Sequence, residues 1–174
     1  MELRLADFGA AMRRTPVPLL AVTALGTVGA LLMIVAEFST VASVDVASGS
    51  CEVINDSSPD IADRCNLSGF ERHGGSLILL GLLAFAMSLG AGVGGSRPAA
   101  AALVAIGVLV LALGLFLDLP ETDETGAIGR NFEGAQGSAG TGLYLELIGG
   151  ALVLAAGALR LTRREPEGST SSPE

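Results

Sequence analysis

The segment PAAAALVAIGVLVLALGLFL, residues 98–117, contains no charged side chain. About 20 residues of α-helix cross the hydrocarbon core of a bilayer, so this segment predicts a transmembrane helix. Lipid offers backbone amides no hydrogen-bond partner, and a helix pairs them within one segment. Three other apolar runs have similar length, and together they predict four spans, at residues 17–38, 76–95, 99–118 and 141–161.

The composition of the whole chain agrees with a membrane location. Half of the 174 residues are hydrophobic and only 16% are charged, against about 25% charged in a typical soluble domain. The net charge of −8 argues against a nucleic-acid partner. All 10 basic residues are Arg, and without Lys the chain has neither a P-loop nor a Schiff-base Lys. The Lys-free, Ala- and Gly-rich usage is typical of a high-GC bacterial genome.

The distribution of Arg predicts the direction of the spans. Three arginines lie in the connections 39–75 and 119–140, and the other seven lie before span one, between spans two and three, and at the end of span four. The positive-inside bias therefore places both termini in the cytoplasm and these two connections outside the cell membrane. The turn between spans two and three is short enough for an antiparallel hairpin only. The predicted fold is an all-α, up-down-up-down four-helix transmembrane bundle, residues 17–161.

The terminal segments leave alternatives open. Residues 1–16 are predicted to be cytoplasmic, either as a short amphipathic helix on the inner membrane surface or as a frayed end. Span one is alternatively a signal peptide, although its apolar core is longer than usual for one. Residues 162–174 have the composition of a disordered cytoplasmic tail.

Cys51 and Cys65 are the two cysteines, and both lie in the first outer loop. On the oxidising side of the membrane they are predicted to form a disulfide that closes this loop. Their spacing is far wider than the Cys-x-x-Cys of a thiol oxidoreductase. A zinc site formed by Cys51, Cys65 and His73 is the weaker alternative, because the ligands lack a tight pair.

Three acidic residues lie at the outer ends of the predicted spans: Glu37, Asp118 and Glu146. Charges at such depth usually face a bundle interior or a wet cavity. On a helical wheel each shares its face with Gly, Ala or Thr, and small residues mark the faces where membrane helices pack. The sequence therefore predicts a polar cluster in the outer leaflet, with the outer basic residues Arg72, His73 and Arg130 as partners.

Other polar features carry less information. Tyr144, one turn into span four, is predicted to be an interfacial anchor. The second outer loop is acidic early and glycine-rich late, which favours a flexible solvated loop over a calcium site. The sequence contains no catalytic motif and predicts no metal or cofactor.

These observations predict a non-enzymatic, multi-pass membrane protein. The favoured role is a structural or accessory envelope subunit whose partners are the lipid bilayer and a protein that contacts outer loops 39–75 and 119–140. The alternative role is binding of a cation, a proton or a small ligand in an outward-facing pocket formed by the three carboxylates.

Overall fold

The computed structural model describes residues 17–46, 65–125, 128 and 133–163, most of which are helical. The α-helices are α1 (Val17–Glu37), α2 (Gly69–His73), α3 (Ser76–Gly92), α4 (Arg97–Leu113), α5 (Leu119–Glu121) and α6 (Thr141–Thr162). A π-helical segment, Gly114–Asp118, joins α4 to α5 and is called the π turn below. The strands are β1 (Thr40–Asp45), β2 (Asn66–Ser68) and β3 (Gln136–Ala139).

Three continuous helices are long and apolar enough to cross a membrane. They are Leu19–Glu37 in α1, Arg97–Glu121 from α4 through α5, and Thr141–Thr162 in α6. The fourth predicted span, α3, is also apolar but has 17 residues. It begins at Ser76 as predicted and ends at Gly92, before the turn that contains Gly95, whose φ is positive.

The long helices pack along glycine-lined contacts. Helix α6 lies against α1 and α4, and α3 lies against α1 and α4. At Gly107 in α4, an added Cβ would lie 2.6 Å from the backbone nitrogen of Leu154 and 2.8 Å from the backbone oxygen of Gly150, both in α6. These contacts bring helix backbones close together, as packing in lipid requires. The structure therefore buries the small-residue faces that the sequence analysis assigned to the interior.

A small antiparallel sheet covers one end of the helices, which we call the sheet end. The strand order is β2-β1-β3. Strand β1 follows α1 almost directly, and a single residue separates the end of β3 from the start of α6. Strand β1 contains the valines Val41 and Val44. The prediction of a flexible second outer loop was wrong for Gln136–Ala139, because these residues pair with β1.

Cys65 is buried beneath the sheet at 1% exposure, together with Val44, Val46 and Ile128. Its predicted disulfide partner, Cys51, lies outside the described residues, so the disulfide stays a prediction. The structure groups Cys65 with apolar side chains, whereas His73 lies among carboxylates. The arrangement gives no support to a zinc site shared by these two residues.

Several predictions fall on residues outside the described ranges. They concern segment 1–16, Arg130 and the tail beyond residue 163.

Replacing Gly107 with Ala is expected to destabilise the protein by about 1–3 kcal/mol, because the new methyl group would overlap the α6 backbone. Thermal unfolding in mild detergent measures this as a lower Tm. Ala105→Leu is the matched control, since residue 105 lies on the exposed face of the same helix. Equal melting temperatures for Gly107→Ala and Ala105→Leu would contradict the packing described.

Candidate functional site

Five side chains converge where the long helices meet the sheet: Glu37, Arg72, His73, Asp118 and Glu146. We call them the sheet-end cluster. Three are carboxylates with no exposed surface: Glu37, Asp118 and Glu146. They come from the C-terminus of α1, the end of the π turn and the second turn of α6. The structure therefore places the three sequence-predicted acids at one end of the helices, beside two of the three predicted basic partners.

Glu37 is occupied by backbone hydrogen bonds. Its Oε1 accepts from the backbone N–H of Gly75 at 2.6 Å, and its Oε2 accepts from that of Leu77 at 3.1 Å. These N–H groups belong to the N-terminus of α3, where negative charge is favoured. The sequence predicted a basic partner for Glu37 among Arg72, His73 and Arg130. The N-terminus of a different helix satisfies it instead.

Helix α2 holds Arg72 and His73 in place through its two caps. Ser68 and Glu71 form a reciprocal capping box at its start. The backbone N–H and hydroxyl of Ser68 donate to the Glu71 carboxylate and hold the pKa of Glu71 below its usual range. Gly74 ends the helix in the left-handed conformation, with φ of 61°. A five-residue helix is thereby fixed at both ends, and its last two side chains point to the carboxylates.

The π turn brings Asp118 inward. The backbone N–H of Leu119 donates to the carbonyl oxygen of Gly114, five residues earlier. Phe116 is 78% exposed, whereas Asp118 is fully buried. Segments of this kind are frequent at functional sites because the extra residue redirects side chains.

One oxygen of Asp118 is bound by Arg72. Arg72 Nε donates to Asp118 Oδ1 at 3.0 Å, and a terminal guanidinium nitrogen donates to the carbonyl oxygen of Leu117 at 2.9 Å. The same nitrogen lies 3.3 Å from a carboxylate oxygen of Glu121. The guanidinium therefore bridges two carboxylates, and Asp118 Oδ2 remains turned toward His73.

Glu146 is the least satisfied member of the cluster. Neither of its carboxylate oxygens has a hydrogen-bond partner among the described residues. Its nearest basic group is His73, whose Nε2 lies 3.6 Å from Glu146 Oε2. Gly114 lies beside it, since a Cβ on Gly114 would be in ordinary van der Waals contact with Glu146 Oε1, at 3.5 Å. A buried carboxylate that accepts no hydrogen bond is costly.

His73, Asp118 and Glu146 form a compact trio within the cluster. One ligand atom from each residue lies within 4.8 Å of the others, and His73 Nε2 is 3.4 Å from Asp118 Oδ2. The His73 side chain is 8% exposed. Interaction with Glu146, and then the charges of Asp118, Glu146 and Glu37, raise the pKa of His73, and the cost of burial opposes this only in part. The trio is therefore a buried, electronegative site. Each of its three side chains offers an atom that can bind a metal ion and that has no hydrogen-bond partner among the described residues.

The remaining predicted residues lie elsewhere. Tyr144 is 57% exposed in the first turn of α6, a position that suits an interfacial side chain. Arg130 is outside the described residues. Arg160 was not among the predicted site residues; it is buried at the opposite end of the helices and donates to the carbonyl oxygen of Gly95. The signal in the sequence for a buried arginine was its position within the last turns of an apolar helix.

The raised pKa of His73 predicts a pH dependence of stability in metal-free protein. A histidine whose pKa is higher when folded contributes stability that is complete below its unfolded pKa of about 6.5 and is lost as pH rises through the folded value. The Tm measured with a chelator present is therefore expected to fall as pH rises above about 6.5. His73→Gln should flatten this slope. A Tm that rises over the same interval would contradict the assignment.

No protein-family model matches this chain, and comparisons with curated proteins and with solved structures found no similar protein. The function is therefore argued from the chemistry of the sheet-end cluster.

Proposed function

We propose that this chain is a four-span integral membrane protein that binds a cation at its sheet end. The observation that carries the proposal is the fully buried Glu146 carboxylate, which has no hydrogen-bond partner among the described residues and faces His73 and Asp118. A bound cation would supply the missing favourable interaction.

The exposed surface of the long helices supports the membrane location. Large apolar side chains lie on the outside of α1, α3, α4 and α6, among them Leu31, Leu79, Leu109 and Ile148. Such a surface suits lipid and would be an aggregation hazard in water. Exposed aromatic side chains collect at the sheet end: Phe38, Phe70, Phe116 and Tyr144. They are suited to the membrane–water interface, which would place the sheet-end cluster at headgroup depth.

The charges support one orientation. Arg97, Arg160 and Arg163 lie at the end opposite the sheet. By the positive-inside bias that end would face the cytoplasm, as would both termini, and the sheet would lie outside the cell membrane of a bacterium. The α3 helix is shorter than the other three, and the capped α2–α3 junction at its sheet end would lie within the interface.

Cation binding accounts for the cluster better than a purely structural role does. A rim of ion pairs that only fixed helix register would satisfy each carboxylate, as the structure does for Glu37 and for one oxygen of Asp118. Glu146 accepts no hydrogen bond among the described residues, and its basic neighbour there is His73, 3.6 Å away. The proposed role is binding, without catalysis. An accessory-subunit role with a protein partner at the outer loops stays a prediction.

The membrane location and orientation are tested together. The full chain is expected to stay in the pellet after alkaline carbonate washing. Green fluorescent protein fused after residue 174 is expected to fluoresce, and alkaline phosphatase fused at the same place to be inactive, because the C-terminus is in the cytoplasm. An active phosphatase fusion would overturn the orientation, and release by carbonate would overturn the membrane location.

Cation binding is tested by thermal unfolding of tag-free, chelator-treated protein in mild detergent. At least one cation from a panel of Na⁺, Mg²⁺, Ca²⁺, Mn²⁺ and Zn²⁺ is expected to raise the Tm of the wild type. Glu146→Gln should remove this shift, because it neutralises the unsatisfied carboxylate at nearly constant size. Asp45→Asn is the matched control, since it neutralises an exposed acid at the same end.

An unchanged wild-type Tm with every cation in the panel would refute cation binding. So would a shift that survives in Glu146→Gln.

A further inference from the structure

We infer that the trio binds one divalent transition-metal ion of the Zn²⁺ class. Its ligands are His73 Nε2, Asp118 Oδ2 and a carboxylate oxygen of Glu146, with the fourth position taken by water or by the second oxygen of Glu146. This inference rests on the proposed function and names the chemistry of the same site. Its basis is that these atoms are buried and have no hydrogen-bond partner among the described residues.

The spacing of the ligand atoms fits a tetrahedral ion. Zn²⁺ bonds of about 2.0–2.1 Å place neighbouring tetrahedral ligands roughly 3.3 Å apart. The observed separations from His73 Nε2 are 3.4 Å to Asp118 Oδ2 and 3.6 Å to Glu146 Oε2. An octahedral Mg²⁺ site, with similar bond lengths, would bring adjacent ligands to roughly 2.9 Å. These two separations are thus close to those of a tetrahedral Zn²⁺ site, and all three ligand atoms lie within 4.8 Å of one another.

The donor set separates Zn²⁺ from Ca²⁺. Calcium takes about 6–8 oxygen ligands. Of the carboxylate oxygens in the sheet-end cluster, Glu37 has both bound by backbone N–H groups, and Asp118 Oδ1 is bound by Arg72. Three oxygens remain, together with one imidazole nitrogen, which is a good ligand for Zn²⁺ and its neighbours in the transition series. The site therefore offers too few oxygen ligands for Ca²⁺, whereas its number of ligands is sufficient for Zn²⁺.

The charges of the site also match a divalent ion. Asp118 and Glu146 each bring one negative charge, and a neutral His73 brings none. The charge of Arg72 is shared with Glu121, 3.3 Å away, so Arg72 does not neutralise the trio alone. Each uncompensated buried charge costs several kcal/mol. One divalent cation offsets both carboxylates.

Arg72 acts as a positioning residue for this site. It holds Asp118 Oδ1 at 3.0 Å and is itself fixed by the carbonyl oxygen of Leu117, so Asp118 Oδ2 faces the trio. Partners that orient a ligand in this way commonly change metal affinity about 10- to 100-fold when removed. Arg72 and His73 are adjacent in α2, so one capped helix supplies both a ligand and the residue that orients another.

The test uses tag-free, chelator-stripped protein in mild detergent, titrated with Co²⁺ as a visible probe for a Zn²⁺ site. One equivalent of Co²⁺ is expected to produce the intense visible absorption of a tetrahedral ion, and Zn²⁺ is expected to displace it. His73→Gln, Asp118→Asn and Glu146→Gln should each weaken binding on the order of 100-fold. Asp45→Asn should leave binding unchanged.

The positioning role has its own readout. Arg72→Gln is expected to weaken Co²⁺ binding about 10-fold or more and to shift its visible band, because Asp118 loses its orientation. Arg72→Lys should restore part of both. A band that is identical in Arg72→Gln and wild type would refute this role.

A second measurement needs no variant. The chain contains 1 histidine, so protein labelled with ¹⁵N-histidine gives the signals of His73 alone. Stoichiometric Zn²⁺ is expected to shift the signal of one imidazole nitrogen, and an unchanged spectrum would overturn the inference even if a ligand variant failed to fold.

Each contrary outcome has a distinct meaning. Displacement of Co²⁺ by Ca²⁺ at comparable concentration, or the weak spectrum of an octahedral ion, would overturn the Zn²⁺ class and leave cation binding intact. A thiolate charge-transfer band would also overturn it, because it would make a cysteine a ligand. A wild-type Tm unaffected by any cation would refute the proposed function and this inference together.

Discussion

Burial of carboxylates is the constraint on which the sheet end depends. A charged group removed from water loses several kcal/mol of hydration and must recover it from nearby dipoles or charges. Glu37 recovers it from two backbone N–H groups of α3, and Asp118 from the guanidinium of Arg72. Glu146 accepts no hydrogen bond among the described residues, and its only basic neighbour there within ion-pair distance is His73, 3.6 Å away. This difference turns a rim of ion pairs into a candidate binding site.

The hydrogen bonds of the buried Glu37 carboxylate also fix the local path of the chain. Because Glu37 caps α3, it holds the glycine pair Gly74 and Gly75 that separates α2 from α3. That junction sets the direction of α2, and so the places of Arg72 and His73. The sheet is connected to the sheet-end cluster through the chain, because β1 continues from α1 and β2 leads directly into α2. The segments at the sheet end are therefore a scaffold that brings Arg72 and His73 over the helix ends.

Glycine allows the helices to approach one another closely. In lipid, helices associate through close packing, since apolar side chains gain little by leaving an apolar solvent. Gly107 and Gly149 permit backbone contact along α6, and Gly114 accommodates the Leu147 side chain of α6, whose Cδ2 an added Cβ would approach to 2.7 Å. Large apolar side chains such as Leu79 and Leu109 remain on the outside.

The sequence by itself determined the apolar helices, the buried small-residue faces and the inward placement of Glu37, Asp118 and Glu146, because hydropathy and helical periodicity are local properties. It did not determine the strand at Gln136–Ala139, whose partner β1 is distant in the chain, nor the end of α3 at Gly92. Only the tertiary structure decided how the acids differ. Glu37 caps another helix, Arg72 binds Asp118, and Glu146 faces His73, and each depends on residues brought together from separate helices.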